Sequence, residues 1–200
     1  MAGAIAVQKL GPWQRGEVQR HLLRLGDEDR RLRFGQPLPD AAIERYVDGL
    51  DFTRDRVFGI HLQEMELCAV AHLALDGVAG HAELGLSVDE GLRRRGYGEA
   101  LLARGVLHAA NRGFRALFMH CLSENAAMMR LAARAGLRIV VASGEADARL
   151  ALQPVPGGAL REAMEDQFAL VDYVLKQQGS LLGRRASRPA PALLSGAPAS

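Results

Sequence analysis

The stretch Arg93-Arg94-Arg95-Gly96-Tyr97-Gly98 decides how this 200-residue sequence is interpreted. It follows the strand-like run 82–88 and opens a helical run that begins at Tyr97. Gly96 and Gly98 let the backbone turn tightly and approach a ligand with no Cβ in between. The helix directs free N–H groups and the positive end of its dipole at this turn. Because the arginines add cationic forks suited to phosphate oxygens, the stretch predicts a phosphate cradle.

Two other phosphate loops are excluded, because the sequence has neither Gly-x-x-x-x-Gly-Lys-Ser/Thr nor the Gly-x-Gly-x-x-Gly of dinucleotide folds. What remains, Arg93-x-x-Gly96-x-Gly98 between a strand and a helix, resembles the acyl-CoA pyrophosphate loop of the GNAT acetyltransferases. A second match follows the strand-like run 115–122: Asn125 opens a predicted helix at 126–135, and Gly136-Leu137 closes it, as in that family. The resemblance covers residues 4–153 and is most specific between 82 and 137.

The resemblance implies an α/β GNAT fold: a mixed, mostly antiparallel sheet with one parallel pair of strands and helices on both faces. An extra C-terminal helix, outside the GNAT pattern, is expected in addition. The parallel pair is expected at 82–88 and 115–122, joined by a helix at 97–112. We expect an acetyltransferase domain over 1–154, a helical extension over 155–178 and a disordered tail over 179–200. That tail is rich in Ala, Pro, Ser, Gly and Arg.

The apolar pattern predicts the remaining elements. Strands are expected at 4–10, 56–63, 67–75, 137–142 and 148–153, with a turn at 143–147, and helices at 17–25 and 40–50. Asp40 is expected to be the N-cap of its helix. The stretch 27–34 is charged, and Pro37 and Pro39 break the chain after it.

Residues 158–178 predict one amphipathic helix. Its apolar residues recur at helical spacing: Leu160, Met164, Phe168, Val171, Val174 and Leu175. Two arrangements are open. This face packs on the domain, or it packs on a second subunit and forms a homodimer.

Composition narrows the functional classes. Hydrophobic residues make up 48% of the chain and the net charge is +2, so bulk electrostatics do not favour nucleic-acid binding. No run reaches the ~18 apolar residues of a membrane span and no signal peptide is evident, so we expect a cytoplasmic protein without membrane association. Cys68 and Cys121 lie in strand-like runs and are expected to be reduced thiols. The histidines, cysteines and carboxylates show no metal-ligand spacing, so no metal is expected.

The resemblance implies acetyl-CoA as co-substrate and a primary amine as acceptor. It implies that acetyl-CoA is bound by Leu86, Val88, Arg93, Arg94, Arg95, Gly96, Tyr97, Gly98, Glu99 and Asn125. Acyl transfer requires a deprotonated amine, a polarised thioester carbonyl and a proton for the departing thiolate. Backbone groups can polarise the carbonyl where the two parallel strands diverge, so no side-chain nucleophile is needed.

Glu83 is the candidate general base. A charged residue in a strand that is otherwise mostly apolar indicates a specific role for its side chain. Strict alternation places Glu83 with Gly85 and Ser87 on a face of small residues, where a substrate can approach. A glycine inside a strand often marks a β-bulge, and a bulge at Gly85 would change which side chains share a face with Glu83. In GNAT relatives that act on lysine, a glutamate at this place deprotonates the amine. The alternatives are an exposed glutamate at a sheet edge or an ion pair with an arginine.

The group that protonates the thiolate departs from the family pattern. Many GNAT enzymes have a tyrosine midway along the helix after the asparagine, and alignment on Asn125 and Gly136 places Ala132 there. This leaves Ser123 or water as the proton donor, or a thiolate that leaves unaided. His120, near the end of its strand, is either an alternative base or a packed, hydrogen-bonded strand histidine.

Two further stretches, Met-Met-Arg-Leu-Ala at 128–132 and the segment 29–34, resemble the GNAT modules of bacterial protein lysine acetyltransferases. The acceptor is then an amine of a protein lysine or of a small molecule, bound next to the loops 26–39 and 143–147. Because the tyrosine is missing, a non-catalytic acyl-CoA sensor is the alternative function. A third hypothesis is an interaction module whose basic tail binds an acidic partner.

Overall fold

The computed structural model describes residues 4–77 and 79–186. One sheet contains seven strands in the order β1-β2-β3-β4-β5-β7-β6. The strands are β1 Gln8–Leu10, β2 Arg56–His61, β3 Leu67–Asp76, β4 His81–Val88, β5 Ala116–Leu122, β6 Arg138–Ala142 and β7 Glu145–Ala151. Neighbouring strands are antiparallel except β4 and β5, which run parallel. This confirms the predicted mixed sheet with one parallel pair.

Six helices accompany the sheet in the described residues. They are α1 Arg15–Leu23, α2 Asp27–Phe34, α3 Asp40–Asp48, α4 Tyr97–Asn111, α5 Ala126–Arg134 and α6 Gly158–Ala186. Short 3₁₀ turns occupy Pro12–Gln14 and Glu90–Leu92. Within the described chain, no helix is both long enough and apolar enough to cross a bilayer.

Neighbouring residues of β4 show that helices cover both faces of the sheet. A Cβ added to Gly105 of α4 would lie 3.0 Å from the side chain of Leu84. A Cβ added to Gly85 would instead lie 2.5 Å from the guanidinium of Arg33, in α2. Successive strand residues point to opposite faces, so α2 and α4 lie on opposite sides of the sheet, as predicted.

Each face carries its own apolar core. Phe58, Leu73, Leu84, Leu101 and Leu117 belong to the larger core, between the sheet and α4. The smaller core lies between the sheet and helices α1 and α3. It includes Val18, Leu22, Ile43, Val47 and Val57. Burial of these side chains against both faces holds β4 and β5 at the centre of the domain.

Helix α2 forms from a stretch in which the apolar pattern gave no helix. Its only buried residue is Arg30, whose Nε donates to the carbonyl oxygen of Leu25 at 2.9 Å. Acidic residues fill its first turn and arginines its last, an order that complements the helix dipole. Charge order and a buried arginine therefore replace the apolar periodicity on which a sequence-based prediction depends.

Several predicted boundaries are corrected. Strand β7 begins at Glu145, so the predicted turn 143–147 shortens to Ser143-Gly144, which have φ of 52° and 87°. Its residues alternate between exposed and buried from Glu145 onward, the period of two that is typical of a strand. Strand β1 starts at Gln8 rather than at residue 4. Asp40 is the first residue of α3, and Pro39 is the N-cap.

No bulge occurs at Gly85. The β3–β4 register is continuous from Asp76–His81 to Ala69–Val88. The bulge position in the sheet lies between Ile60 and His61, in the β2–β3 ladder. Strict alternation therefore holds in β4, and Glu83, Gly85 and Ser87 lie on the same face.

Helix α6 packs its polar side on the domain. Arg104 of α4 is 2% exposed, and its guanidinium lies against acidic residues of α6. These are Glu162 at 3.0 Å, Glu165 at 3.7 Å and Asp166. A buried cation needs such counter-charges, so Arg104 fixes which side of α6 faces inward.

The apolar face of α6 consequently points away from the domain. Its exposed fractions are 68% for Leu160, 65% for Met164, 47% for Phe168, 56% for Val171 and 62% for Leu175. The interpretation in which this face packs on the domain is therefore wrong. The helix also continues to Ala186, whereas disorder was predicted from residue 179; the remainder of that predicted tail, 187–200, lies outside the described residues.

Candidate active site

The two parallel strands separate in the middle of the sheet. Register pairs between β4 and β5 are His81–Ala116, Ala82–Leu117 and Glu83–Phe118. Both strands continue beyond that point, but β4 then pairs with β3 alone and β5 with β7 alone. The facing edge of β4 beyond Glu83 has no strand partner, so its backbone groups are available to a ligand.

A cavity of about 640 Å³ opens next to this divergence. Its walls come from the end of β4, the Arg-rich loop, the first turn of α4, and helices α2 and α5. Among the lining residues are Leu32, Leu86, Val88, Gly96, Gly98, Ala127, Met128 and Leu131. The cavity therefore joins an apolar section along β4 to a cationic section at the loop.

The loop has the geometry of an anion-binding turn. Gly96 is the N-cap of α4 with φ of 85°, a left-handed conformation that favours glycine, and no side chain caps this helix. Arg94 also has a positive φ, 60°. The N–H groups of the first turn of α4 therefore face the loop without a side-chain acceptor, as a phosphate site requires.

The cations around the cavity are not equivalent. Arg93 forms an ion pair with Asp29 of α2, and Arg134 of α5 forms one with Glu99 at 2.9 Å. Arg94 lines the cavity and has no ion-pair partner within residues 4–77 and 79–186. Arg94 is thus the arginine of the loop that is most available to a phosphate.

Most of the residues predicted to bind acetyl-CoA line this cavity. They are Leu86, Val88, Arg93, Arg94, Gly96, Tyr97, Gly98, Glu99 and Asn125. Arg95 does not line it, and neither do Glu83 and Ser123. Sequence reasoning missed Asp29 and Arg33 of α2 together with Arg130 and Arg134 of α5. The α5 residues could have been found, because 127, 130, 131 and 134 repeat at helical spacing.

Asn125 connects two helices of the cavity wall, α5 and α2. Its side-chain oxygen accepts from the backbone N–H of Met128 at 3.0 Å and caps α5. Its amide nitrogen donates to the carbonyl oxygen of Leu32 at 3.4 Å. Both functions of the amide are therefore used to hold α5 against α2 beside the cavity.

Ser87 belongs to a buried hydrogen-bonded chain. It lines the cavity, and its Oγ lies 2.8 Å from Nε2 of His21, which is fully buried. Nδ1 of His21 lies 3.1 Å from Asp89. Burial opposes ionisation of Asp89, but His21 and Arg24 outweigh it and lower the pKa of this carboxyl. The chain fixes α1 against the end of β4.

Glu83 lies where the parallel strands separate. Its side chain is exposed, although β4 is a central strand with β3 on one side and β5 on the other. The interpretation as a glutamate at a sheet edge is therefore wrong. No arginine or other cation pairs with Glu83 in the described part of the chain, which removes the ion-pair interpretation as well.

His120 follows Phe118 by two residues on β5 and lies on the same face as Glu83. It is 53% exposed, and its Nδ1 lies 2.5 Å from Asp147 of β7. Its ring stacks on that of Phe118 with centroids 6.3 Å apart. His120 is therefore hydrogen-bonded, as one of the two interpretations expected, but it is open to solvent on the face of the sheet that carries Glu83.

Ala132 is 1% exposed and belongs to the larger apolar core. The position that holds a tyrosine in many GNAT enzymes thus offers no acid in this chain.

Comparison with known families gives the same assignment as the geometry. Residues 24–137 match the acetyltransferase (GNAT) family. The chain belongs to the GNAT acetyltransferase family. The predicted family and the prediction of an acetyltransferase enzyme are confirmed. No curated protein sequence matches this chain.

Solved GNAT structures share the fold. The GNAT domain of S. lividans PAT is 20% identical, with a TM-score of 0.64 over 75% of this chain and 92% of that one. A GCN5-related N-acetyltransferase from Kribbella flavida is 17% identical, with a TM-score of 0.61 over 74% and 98%. Ribosomal-protein-alanine N-acetyltransferase from Brucella melitensis is 14% identical, with a TM-score of 0.57 over 73% and 99%.

Acetyl-CoA, the typical acetyl donor of GNAT enzymes, fits the residues present. The uncapped N-terminus of α4 and Arg94 suit its phosphates, and the unpaired edge of β4 suits the amides of its pantetheine arm. Within the described residues, no group of three or more His, Cys, Asp or Glu side chains could hold a metal ion.

Proposed function

We propose that this GNAT protein transfers the acetyl group of acetyl-CoA to a primary amine at the divergence of β4 and β5. One observation carries the proposal. The parallel ladder ends at Glu83–Phe118, and an unpaired, exposed carboxylate stands there beside a cavity with an anion-binding turn. A carboxylate at the divergence and an anion-binding turn farther along β4 are what transfer from a CoA thioester to an amine requires.

Glu83 acts as the general base. Its carboxylate takes a proton from the ammonium form of the acceptor, directly or through water, because only the neutral amine is nucleophilic. The amine nitrogen then bonds to the thioester carbonyl carbon, and backbone N–H groups of β4 stabilise the developing oxyanion. The nitrogen loses its second proton to solvent, the carbon–sulfur bond breaks, and the products are the amide and the CoA thiolate.

The thiolate takes its proton from Ser123 or from water. Ser123 is half-buried, and its backbone N–H donates to the carbonyl oxygen of Gly144 at 2.9 Å, which places it next to the β6–β7 turn. A thiol pKa is not far above neutral, so water is a sufficient donor. Ser123→Ala separates the two: a fall in turnover favours the serine, and an unchanged rate favours water.

Release of free thiol from acetyl-CoA, measured across a panel of small amines and lysine-containing proteins, tests the proposal. We expect amine-dependent thiol release together with an acetylated amine detected by mass spectrometry. Acetyl-CoA binding without turnover of any amine would instead support the non-catalytic acyl-CoA sensor, which the buried Ala132 favours.

We also propose that the outward face of α6 pairs with the same face of a second copy of the chain. Because Arg104 and its acidic partners hold the polar side inward, α6 cannot turn its apolar face to the domain. From Leu160 to Leu175 this stripe runs along the helix for about 22 Å. A continuous stripe of this kind matches itself about a twofold axis, so two antiparallel copies cover each other.

Sedimentation of the full chain tests the pairing. We expect a dimer that Phe168→Asp combined with Val171→Asp converts to a folded monomer, because each charge would be buried in the interface. Gln177 is exposed on another side of α6, and Gln177→Asp should leave the dimer intact. A wild-type chain that sediments as a monomer at every concentration would refute the pairing.

A further inference from the structure

Arg33, at the end of α2, places a cation against the centre of β4. Its guanidinium packs on Gly85, where an added Cβ would lie 2.5 Å from the guanidinium carbon. Any larger residue at position 85 would displace Arg33. The glycine that sequence analysis associated with a bulge therefore makes room for this side chain.

Arg33 has no counter-charge. No carboxylate of residues 4–77 or 79–186 lies within ion-pair distance of it, although it is half-buried. Buried arginines elsewhere in the protein have acidic partners, such as Asp40 for Arg30 at 2.7 Å. A guanidinium has five N–H donors, and among the described residues only the one on Nη2 has an acceptor: the Tyr46 hydroxyl at 3.1 Å.

A hydrogen-bonded chain through Tyr46 and His72 to Asp55 orients Arg33. Nδ1 of His72 lies 2.8 Å from the Tyr46 hydroxyl, and Nε2 of His72 lies 3.1 Å from Asp55. Burial lowers the pKa of His72, so the imidazole is neutral at pH 7. Nε2–H then donates to Asp55, the hydroxyl of Tyr46 donates to Nδ1, and Arg33 donates to that hydroxyl. This chain and the rings of Phe34 and Tyr46, whose centroids lie 4.8 and 5.8 Å from the guanidinium carbon, hold the guanidinium in place without an ion pair to a described carboxylate.

The free side of Arg33 faces the active site. Arg33 lines the cavity together with Leu86, Ser87 and Asn125. Glu83 lies two residues before Gly85 on the same face of β4, at a separation of roughly 7 Å along the strand. An unpaired cation and an unpaired carboxylate therefore flank the point where the strands diverge.

We propose that Arg33 binds a carboxylate carried by a substrate of this site, so that the substrates include a small molecule with a carboxylate close to the reacting amine or acyl carbon. This inference rests on the proposed acetyl transfer at the same site. With a carboxylate on the acceptor, an amino acid would place its amine toward Glu83 and its carboxylate on Arg33. With a carboxylate on the acyl group, a dicarboxylic acyl-CoA would use the same guanidinium.

Matched substrate pairs test the proposal. One pair is 4-aminobutanoate and butylamine, which differ only in the carboxylate, each with acetyl-CoA. The second pair is succinyl-CoA and acetyl-CoA, each with butylamine. In at least one pair we expect wild-type kcat/KM to favour the carboxylate-bearing member. Arg33→Gln should reduce that preference by on the order of 10- to 100-fold, the worth of hydrogen bonds to a charged group.

Substitutions of two arginines of α2 distinguish a loss of carboxylate recognition from a general effect on the structure. Arg31 lies on the same helix and pairs with Glu28 at 2.8 Å, outside the cavity lining, so Arg31→Gln should leave both preferences unchanged. Arg33→Lys keeps the charge and should keep part of the preference. The pair that responds identifies which substrate bears the carboxylate, and unchanged ratios in Arg33→Gln for both pairs would overturn the proposal.

Binding distinguishes failure of this inference from failure of the proposed reaction. If no amine is acetylated, the transferase proposal fails, and calorimetric titration of 4-aminobutanoate and butylamine into the CoA-bound protein decides the role of Arg33. Preferential binding of 4-aminobutanoate that is lost in Arg33→Gln would support the carboxylate site. Equal binding of the two amines, together with equal affinities of succinyl-CoA and acetyl-CoA for the wild-type protein, would contradict it.

Discussion

Glu83 and Phe118 form the last register pair of the parallel β4–β5 ladder. Beyond them each strand keeps its antiparallel partner but loses the other parallel strand, which opens the sheet at its centre. The candidate base, the exposed His120 and the guanidinium of Arg33 all lie on the same face around this opening. The phosphate-binding turn lies farther along β4, at the end of the cavity.

The phosphate cradle predicts the effect of Gly98→Asp. A Cβ at position 98 meets Leu131 only at 3.5 Å, an ordinary contact, so the fold should tolerate the change while the carboxylate repels the phosphates. We expect CoA to raise the melting temperature of the wild-type protein and not that of the variant. Gly77, in the turn before β4, has open space around it, and Gly77→Asp is the matched control. If CoA raised the melting temperature of Gly98→Asp as much as that of the wild-type protein, residues 93–98 would not be the phosphate cradle.

The buried ion network predicts the effect of Arg104→Met. The change would leave Glu162 and Asp166 facing an apolar side chain, because Arg104 is their buried cation. Loss of one partner of a buried pair costs about 3 kcal/mol, and urea unfolding should show that decrease. Arg161 is 63% exposed in its pair with Glu165, so Arg161→Met should cost less than about 1 kcal/mol. Equal losses in both variants would show that the network does not hold α6.

The buried histidines predict how stability depends on pH. Burial lowers the pKa of His61, His72 and His108 below the ordinary value of 6.5. At pH values between the lowered pKa values and 6.5, these histidines bind protons in the unfolded chain but not in the folded protein. The free energy of unfolding should therefore fall as pH decreases below about 6.5. Urea unfolding at pH 7.5, 6.5 and 5.5 measures this trend. A free energy of unfolding that stays constant or rises toward pH 5.5 would contradict it.

The stability contribution of Asp55 should be lost at lower pH. Burial opposes its ionisation, but hydrogen bonds from Arg54, the backbone N–H of Leu75 and His72 outweigh it and lower its pKa to about 2. Its contribution is therefore present above the ordinary value of 3.8 and lost as pH falls toward 2. Asp55→Asn should be destabilised by on the order of 2 kcal/mol at pH 7, with the difference from wild type disappearing near pH 2. A constant difference at all pH values would contradict the shift.

The sequence predicted the parts of the fold that local chemistry specifies. Gly96 needs a left-handed conformation at the start of α4, and Asn125 caps α5, so both helix boundaries could be predicted from single residues. Helix α2 could not, because hydrogen bonds from Arg30 to the carbonyl oxygens of Leu25 and Leu38, just outside the helix, stabilise it in place of an apolar stripe.

The parts of the site that depend on tertiary contacts also could not be predicted from the sequence. Arg33 approaches β4 only because Gly85 leaves space for it, and these residues are far apart in the sequence. The orientation of α6 was undecided for a similar reason. A helix with one apolar and one acidic face can pack either way, and only the buried position of Arg104 on α4 selects the acidic one.

The rate of acetyl transfer in Glu83→Gln tests the central claim most directly. The variant keeps the size and hydrogen-bonding capacity of the side chain but cannot accept a proton. Acetyl-CoA binding should be unchanged, and turnover at neutral pH should fall by a factor on the order of 10² to 10⁴. The rate should recover at alkaline pH, where the amine loses its proton without help.

Glu64→Gln, in an exposed turn, and His120→Gln are the controls and should retain most of the activity. Wild-type turnover of Glu83→Gln at neutral pH, with a fall in His120→Gln instead, would contradict the assignment of Glu83 as the base.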